Sequence, residues 1–343
     1  MSLLDDTKKI LLQNSIRPQK KLGQHFLVNE EILNQIISAA QLSKEDTVLE
    51  IGAGIGILTS QLVPLVSKVI AVEIAPVLIN ILNQELAGYT NVLIIKEDIL
   101  KVNLSELLDR KDQRLKTKDQ RLKIEEEDRR QKTEDRLRIS DLNIESRVPS
   151  SESRVPSSES RVPSPESRFS AEKKIKVVAN LPYYIVTPVI IHLLQAKENF
   201  STLILMVQKE VGDRILAKPG SKTYGALSIL VQYHCQVERI CEVSRQCFYP
   251  HPQVDSVVLR LNILDRPSIS VKDEQFFFKL VRAAFSKRRK MLINAISDVG
   301  ISKERLTESL VENKIDPKRR GETLTLEEFG RLSDFLKEVE SSK

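Results

Sequence analysis

Short apolar runs alternate with amphipathic segments along the longer, N-terminal part of the chain. The runs have the length and composition of buried strands, and apolar residues in the segments between them recur at the helical spacing. The predicted strands occupy 47–51, 68–73, 92–95, 176–180 and a further run that ends at 206–210. The predicted helices occupy 7–15, 30–40, 58–66, 76–86 and 211–217. Strands that alternate with helices predict an α/β fold built on a mostly parallel sheet.

The pattern changes toward the C-terminus. Residues 254–261 alternate between apolar and polar positions, which predicts a final antiparallel strand. From about residue 267 onward, apolar residues follow a helical period, and the predicted helices occupy 274–285, 288–299, 303–312 and 326–338. A chain of 343 residues is long enough for two cores. We therefore expect one domain over 1–266 and a small helical domain over 267–343.

Three glycines at alternate positions follow the first buried strand. Gly52, Gly54 and Gly56 stand between that strand and a predicted helix, which is where an α/β sheet holds an adenosine-containing cofactor. A dinucleotide fingerprint requires a glycine five positions after the first, whereas position 57 is isoleucine. The pattern E-x-G-x-G-x-G over residues 50–56 instead resembles the first motif of class I S-adenosylmethionine-dependent methyltransferases, which favours a methyltransferase over a dehydrogenase. Taken alone, the three glycines also fit a plain tight turn.

Two carboxylates follow the next two predicted strands. Glu73 lies 21 residues after Gly52, at a strand end where an acid can accept hydrogen bonds from ribose hydroxyls. Asp98 follows the third strand, at the same edge of the predicted sheet. Either acid alone is more commonly a helix cap or a solvated turn residue. Behind a glycine turn, the two together indicate a nucleoside site.

Residues 180–183, Asn-Leu-Pro-Tyr, end the fourth strand and form the strongest local signal in the chain. The Asn180 side-chain oxygen and an adjacent backbone carbonyl can both accept from an exocyclic amino group, while Pro182 stiffens the turn and Tyr183 offers a stacking face. Two acceptors on an adenine amino group favour a more tetrahedral nitrogen and direct its lone pair at a methyl donor. Positioning then provides much of the catalysis, so neither a metal nor a general base is obligatory. A polar turn around a core tyrosine is the alternative.

The composition breaks between about 109 and 170, where seven-residue repeats occur. Half of residues 109–168 are charged, with 16 basic and 14 acidic side chains, and none is aromatic. Such a segment cannot bury enough apolar surface to offset the entropy of ordering it. We expect a disordered insertion on the surface of the first domain. A basic arm for nucleic acid is the alternative, which the nearly cancelling charges weaken.

Composition and charge limit the partners and the cellular compartment that the protein is expected to have. The net charge of +6 is compatible with an anionic partner. The three cysteines, Cys235, Cys241 and Cys247, match neither a metal-binding motif nor an even-numbered disulfide set, which fits a reducing compartment. The sequence has no run of 18 consecutive apolar residues and no apolar signal core in its first 20 residues. We therefore expect a cytoplasmic protein with no membrane segment and no bound metal.

Several motifs follow one another in a characteristic order along the chain. They are residues 23–27 (Gly-Gln-His-Phe-Leu), 50–56 (Glu-Ile-Gly-Ala-Gly-Ile-Gly), Glu73, Asp98, 180–183, 248–256 and 285–294. Together they resemble the ribosomal RNA adenine N6,N6-dimethyltransferase family in its bacterial KsgA type. The resemblance implies a Rossmann-like class I methyltransferase fold, with a mostly parallel seven-stranded sheet containing an antiparallel strand, and S-adenosyl-L-methionine as cofactor. It covers the chain except for the insertion, which stands where the family usually has a short connection.

The same resemblance implies roles for individual residues. The implied cofactor contacts are His25, Leu27, Gly52, Gly54, Glu73, Asp98 and Asn180. Asn180 would also hold the target amino group, with Leu181 contributing its carbonyl, Pro182 the rigid turn and Tyr183 a face for the adenine. We expect phosphate contacts from the basic clusters of the helical domain, although a solvated face is the general alternative. These clusters are Lys287, Arg288, Arg289 and Lys290, and residues 318–320.

By this resemblance, the protein dimethylates N6 of two adjacent adenosines in a hairpin loop near the 3′ end of 16S ribosomal RNA. Its partner would be the 30S ribosomal subunit or its precursor, and a monomer is the default expectation. Two other interpretations stay open. One is an RNA-binding assembly factor that keeps the fold without needing catalysis, against which the intact residues 180–183 argue. The other is a ribosomal RNA adenine N6-monomethylase.

Overall fold

The computed structural model describes residues 2–19, 23–109, 174–287 and 289–341. The strands are β1 (Phe26–Leu27), β2 (Thr47–Ile51), β3 (Lys68–Glu73), β4 (Val92–Lys96), β5 (Ile175–Asn180), β6 (Phe200–Gln208), β7 (Cys235–Val243), β8 (Phe248–Tyr249) and β9 (Ser256–Ile263). The helices are α1 (Leu3–Gln13), α2 (Glu30–Ala40), α3 (Ile57–Leu62), α4 (Pro76–Glu85), α5 (Leu104–Asp109), α6 (Val186–Gln195), α7 (Lys209–Ile215), α8 (Ala226–His234), α9 (Glu274–Ser286), α10 (Leu292–Ala295), α11 (Lys303–Glu312) and α12 (Leu326–Ser341). The predicted disordered insertion lies outside the described residues beyond Asp109.

Seven strands form one sheet in the order β4-β3-β2-β5-β6-β9-β7. The first five of these run parallel, and β9 is antiparallel to both of its neighbours. The mostly parallel α/β sheet with an antiparallel strand is therefore confirmed, and the strand predicted at 254–261 is β9. Helices on both faces cover a sheet of this kind, which explains why its strands are continuous apolar runs. Val48, Leu49 and Val69 accordingly have no measurable exposure.

The segment before α2 differs from the prediction. Residues 21–29 are too polar and too broken by glycine for a core element and predict an ordered loop, but Phe26 and Leu27 form β1, which pairs antiparallel with β8. The partner strand lies more than two hundred residues away in the chain, so no local pattern could reveal the pairing. The Val28 amide also donates to the Cys247 carbonyl at 2.8 Å, extending the contact beyond the strand. The motif at 23–27 is thus fixed against the motif that begins at Phe248.

Two helices begin at residues other than those predicted. The N-terminal helix, predicted over 7–15, begins at Leu3 because Ser2 and Asp5 form a reciprocal capping box. The helix predicted over 288–299 is wrong in its first turn, because Met291 is extended and α10 begins only at Leu292. It then tightens into a 3-10 turn, and Gly300 with φ of +96° ends it.

The C-terminal helices share an apolar core in which Phe277, Leu280 and Phe329 are fully buried. Tyr224 and Tyr233, which precede β7 in the chain, belong to the same core. Residues 2–104 and 174–341 form one unit, and the remainder of the described chain, 105–109, completes α5. The domain boundary at 266 stays a prediction.

Candidate active site

In chain order, β3 and β4 add to one side of β2, whereas β5 and β6 add to its other side, so the strand order reverses between β2 and β5. The strands β3 and β4 lie on one side of this point and β6 on the other, so the carboxyl ends of β2 and β5 flank the place where open α/β sheets bind ligands. A cleft lies at this edge. Of the residues proposed from sequence, those that line it are His25, Leu27, Gly52, Gly54, Glu73, Asp98, Asn180 and Pro182.

The glycine turn takes backbone conformations that favour glycine. Gly52 and Gly54 have φ of +74° and +61°, in the left-handed region that L side chains rarely adopt. A Cβ on Gly54 would lie 3.3 Å from Cε1 of Phe26, which is tighter than ordinary contact. At Gly52, a Cβ would lie 3.5 Å from the carbonyl oxygen of Asn180. The turn is therefore bare backbone on the floor of the cleft, held directly beside the end of β5.

The Glu73 carboxylate joins the end of β3 to the glycine turn. Its Oε2 accepts from the Gly54 amide at 2.9 Å, and its Oε1 accepts from the Ile74 and Ala75 amides, each at 2.9 Å. A carboxylate offers about four lone-pair positions, so three bonds leave acceptor capacity for a ligand hydroxyl. Glu73 is thus a structural clamp of the turn as well as a wall of the cleft.

Asp98 lies at the end of β4 and is partly exposed. Its Oδ1 accepts from the Leu100 amide at 3.0 Å and caps the short 3-10 turn that follows. The cap leaves Oδ2 as an acceptor in a residue that lines the cleft. The helix-cap role and the binding role are therefore compatible in this carboxylate.

The turn after β5 is fixed by hydrogen bonds on both sides. The Asn180 side-chain Nδ2 donates to the His25 carbonyl at 3.2 Å, which leaves Oδ1 as the acceptor of that amide. The Leu181 amide donates to the Met206 carbonyl on β6 at 3.2 Å, and the Leu181 side chain is buried. Pro182 then has φ of −57° and precedes a 3-10 turn, Tyr183–Ile185. The acceptor of Asn180 is thus presented from a rigid frame.

His25 connects the N-terminal motif to two other motifs. Its Nδ1 lies 2.7 Å from the Pro250 carbonyl, and because a carbonyl can only accept, Nδ1 carries the proton. The His25 ring stacks on Tyr183 with ring centres 5.7 Å apart and planes 24° apart. The Tyr183 hydroxyl hydrogen-bonds with the buried Ser256 hydroxyl at 2.8 Å, and burial raises the pKa of this phenol.

Not every predicted site residue lines the cleft. Leu181 and Tyr183 are not among the residues that line it, whereas Tyr184 lines it and is 56% exposed. Of the predicted basic cluster, Lys287 pairs with Asp298 at 2.7 Å, and Arg289 and Lys290 are exposed on the helical region. Arg288 lies outside the described residues.

Glu50 is a candidate site residue that belongs to the 50–56 motif but to which the sequence pattern gave no role of its own. It lies on β2 immediately before the glycine turn, lines the cleft and is 2% exposed. Within the described chain, its Oε2 makes no hydrogen bond. Burial, with a smaller contribution from the Glu73 charge, raises the pKa of Glu50 to about 8, while the Thr59 side chain acts in the opposite direction. An acid inside an otherwise apolar strand was the available signal.

The cleft combines groups that suit a nucleoside-type ligand. Bare backbone at the glycine turn permits close approach, Glu73 and Asp98 provide acceptors, and Glu50 has an oxygen without a partner among the described residues. In residues 2–19, 23–109, 174–287 and 289–341, no cluster of His, Cys, Asp or Glu has the makings of a metal site. Within the same ranges, no helix has the length and apolarity needed to cross a membrane.

The fold and the cleft at its switch point define a class I methyltransferase. The sequence profile described as "Ribosomal RNA adenine dimethylase" matches residues 16–338. The chain belongs to this family.

Individual relatives agree with that assignment. "Ribosomal RNA small subunit methyltransferase A" of Clostridium botulinum is 39% identical over 334 residues, covering 97% of this chain and 99% of the relative. The protein of the same name from Clostridium acetobutylicum is 38% identical and covers 96% of this chain and 98% of the relative. Among solved structures, a dimethyladenosine transferase from Plasmodium falciparum has a TM-score of 0.62 at 25% identity, covering 92% of this chain and 98% of its own.

Proposed function

We propose that this protein transfers methyl groups from S-adenosyl-L-methionine to N6 of two adjacent adenosines near the 3′ end of 16S ribosomal RNA. Membership of the ribosomal RNA adenine dimethylase family supports the reaction, and the names of the full-length relatives support the small subunit as the substrate. The observation that carries the proposal is the Asn180 amide. Its nitrogen is committed to the His25 carbonyl, so its oxygen is available to a target amino group beside the cofactor cleft.

The residues present fit the proposed cofactor. Gly52 and Gly54 leave room for its amino-acid part, the remaining acceptor capacity of Glu73 suits the ribose, and Asp98 Oδ2 suits the adenine amino group. The buried Oε2 of Glu50, without a partner among the described residues, suits an ammonium group or a water that bridges to one. When bound, S-adenosyl-L-methionine supplies an activated methyl group on a positively charged sulfur.

The protein's own contribution is to position the attacking nitrogen. Asn180 Oδ1 and the Leu181 carbonyl would each accept one hydrogen of the adenine amino group, which turns the nitrogen lone pair away from both acceptors and out of the ring π-system. The Leu181 bond to Met206 and the Pro182 ring prevent these acceptors from relaxing. Orientation of this kind lowers the entropic part of the barrier, and proton loss follows methyl transfer.

Two loops of the helical region form the proposed RNA surface. The Leu292 amide donates to the Arg319 carbonyl at 2.6 Å, which brings the segment that follows Arg289 and Lys290 beside the basic residues 318–320. Arg319 itself is committed, since its guanidinium makes two bonds to the Glu328 carboxylate. The exposed side chains of the surface are Arg289, Lys290, Lys318 and Arg320. Arg289→Glu with Lys290→Glu should weaken RNA binding and leave cofactor affinity unchanged.

The test is methyl transfer from labelled S-adenosyl-L-methionine to immature 30S subunits, followed by nucleoside analysis. Dimethyladenosine is the expected product, whereas monomethyladenosine alone would indicate a monomethylase. Absence of transfer would indicate an RNA-binding assembly factor. Asn180→Ala should abolish transfer while retaining the fold, which circular dichroism checks. A ribosomal substrate also supports a cytoplasmic location, and mass measurement in solution tests the expected monomer.

A further inference from the structure

The two adjacent tyrosines of the 3-10 turn have opposite environments. One face of the Tyr183 ring is stacked on His25, and the Tyr183 hydroxyl is bonded to the Ser256 hydroxyl, so this half-buried side chain is held on one ring face and at its hydroxyl. Tyr184 is 56% exposed and lines the cleft. Of the two tyrosines, the one that lines the cleft is therefore Tyr184, although Tyr183 is the tyrosine of the four-residue motif.

The backbone holds Tyr184 in this exposed position. The Ile185 amide donates to the Pro182 carbonyl at 3.1 Å, which closes the turn around Tyr184. Val186, which follows directly and begins α6, is 1% exposed and anchors the end of the turn in the core. An exposed aromatic side chain at the edge of a cleft is suited to contact a partner, because its rigid ring loses little conformational entropy when the partner covers it.

The position of Tyr184 in the topology assigns it to the substrate side of the cleft. It follows β5 by four residues, on the same turn as Asn180. The two carboxylates suited to the cofactor nucleoside, Glu73 and Asp98, follow β3 and β4 on the opposite side of the switch point. The exposed face thus stands beside the group proposed to hold the target amino nitrogen.

We propose that Tyr184 stacks on the unpaired nucleobase next to the target adenosine, and so positions the RNA while one of the two adenosines is methylated. This inference rests on the proposed function. A base whose neighbour has been splayed out into an active-site pocket loses a stacking partner. An aromatic side chain at the mouth of the pocket replaces that partner, and such stacking does not depend on the identity of the base. Tyr184 is a positioning residue in this scheme.

The test compares full-length variants on small-subunit particles. Tyr184→Ala should raise the KM for particles about tenfold, within the range that base–aromatic stacking provides. Tyr184→Phe should behave as wild type, because the ring and not the hydroxyl does the stacking. Tyr89→Ala is the matched control, since Tyr89 is also exposed but precedes β4 at the opposite edge of the sheet. Affinity for S-adenosylhomocysteine should be unchanged in all three variants.

A double-mutant cycle assigns the contact to the neighbouring base. Particles carry ribosomal RNA ligated to a 3′ fragment in which the neighbour of the target adenosine is abasic. Wild-type enzyme should bind these particles about tenfold more weakly than intact ones, and Tyr184→Ala should add no further loss. If the abasic substitution and Tyr184→Ala each weaken particle binding and their effects multiply when combined, the inference is overturned. It is also overturned if Tyr184→Ala weakens the binding of S-adenosylhomocysteine and leaves particle affinity unchanged. Because particle binding is measured without turnover, failure of the proposed reaction appears separately, as absence of dimethyladenosine with the wild-type enzyme.

Discussion

Replacing Glu50 by glutamine should flatten the dependence of this protein's stability on pH. Glu50 lies at the end of β2, is 2% exposed, and has an oxygen without a hydrogen bond within the described chain. Burial beside the Glu73 carboxylate raises the pKa of Glu50 from 4.5 to about 8. The substitution keeps the shape of the side chain and removes its ionisation. Its effect on pH dependence is therefore separable from any change in packing.

The sign and size follow from proton binding. Between about pH 4.5 and pH 8, the folded protein holds a proton on Glu50 that the unfolded chain has released, so the free energy of unfolding falls as the pH rises. At 1.36 kcal/mol per pKa unit, ionising this carboxyl costs about 5 kcal/mol more in the folded protein than in the unfolded chain. Most of the resulting loss of unfolding free energy, about 3 to 4 kcal/mol, occurs between pH 5 and pH 8.

Urea unfolding of the cofactor-free protein at several pH values between 5 and 8 measures this contribution. From pH 5 to pH 8, wild type should lose about 3 to 4 kcal/mol of unfolding free energy relative to Glu50→Gln. Glu85→Gln serves as the control, because Glu85 is an exposed glutamate at the end of α4. Parallel curves for Glu50→Gln and wild type would refute the reasoning.

Three further substitutions test the frame of the site. Tyr183→Phe leaves the buried Ser256 hydroxyl without its partner and should lower the free energy of unfolding by about 1 to 3 kcal/mol, measured in urea; an unchanged midpoint would contradict it. Arg319→Met removes two hydrogen bonds from the partly buried Glu328 carboxylate, which keeps its bond from the Thr325 amide, and should lower the unfolding free energy by about 1 to 3 kcal/mol. A calorimetric scan with no fall in Tm would oppose that assignment. Gly52→Ala forces a side chain to φ of +74°, a strain of roughly 1 to 2 kcal/mol. Titration calorimetry should show weaker binding of S-adenosylhomocysteine, and wild-type affinity would count against the turn as the cofactor floor.

Elements with a continuous local signal were predictable in detail. The helix Glu30–Ala40 and the strand Lys68–Glu73 have the bounds that their patterns predict. For the helix, Asn29 accepts a bond from the Ile32 amide and so marks the first turn. For the strand, an uninterrupted buried run is itself the signature of a parallel strand covered on both faces.

Elements that depend on distant partners were not predictable. The strand Phe26–Leu27 exists only because Phe248–Tyr249 pairs with it, and two residues without this partner would form no strand. Similarly, the amide of Leu292, where α10 begins, donates a hydrogen bond to the Arg319 carbonyl in another loop. In both cases, the hydrogen-bond partner is supplied by the tertiary fold rather than by the neighbouring sequence.

The sequence by itself determined the order of the five parallel strands along the chain and the chemistry at the strand ends, from the glycine turn to Asn180. Those features depend on periodicity, glycine conformation and side-chain functional groups, all of which are local. Only the tertiary structure decided that Tyr184 rather than Tyr183 lines the cleft, that the Glu50 carboxyl is buried, and that the Arg319 guanidinium is bonded to Glu328. Burial and long-range hydrogen bonds set the role of each of these side chains, because they depend on which distant segments come to lie against it.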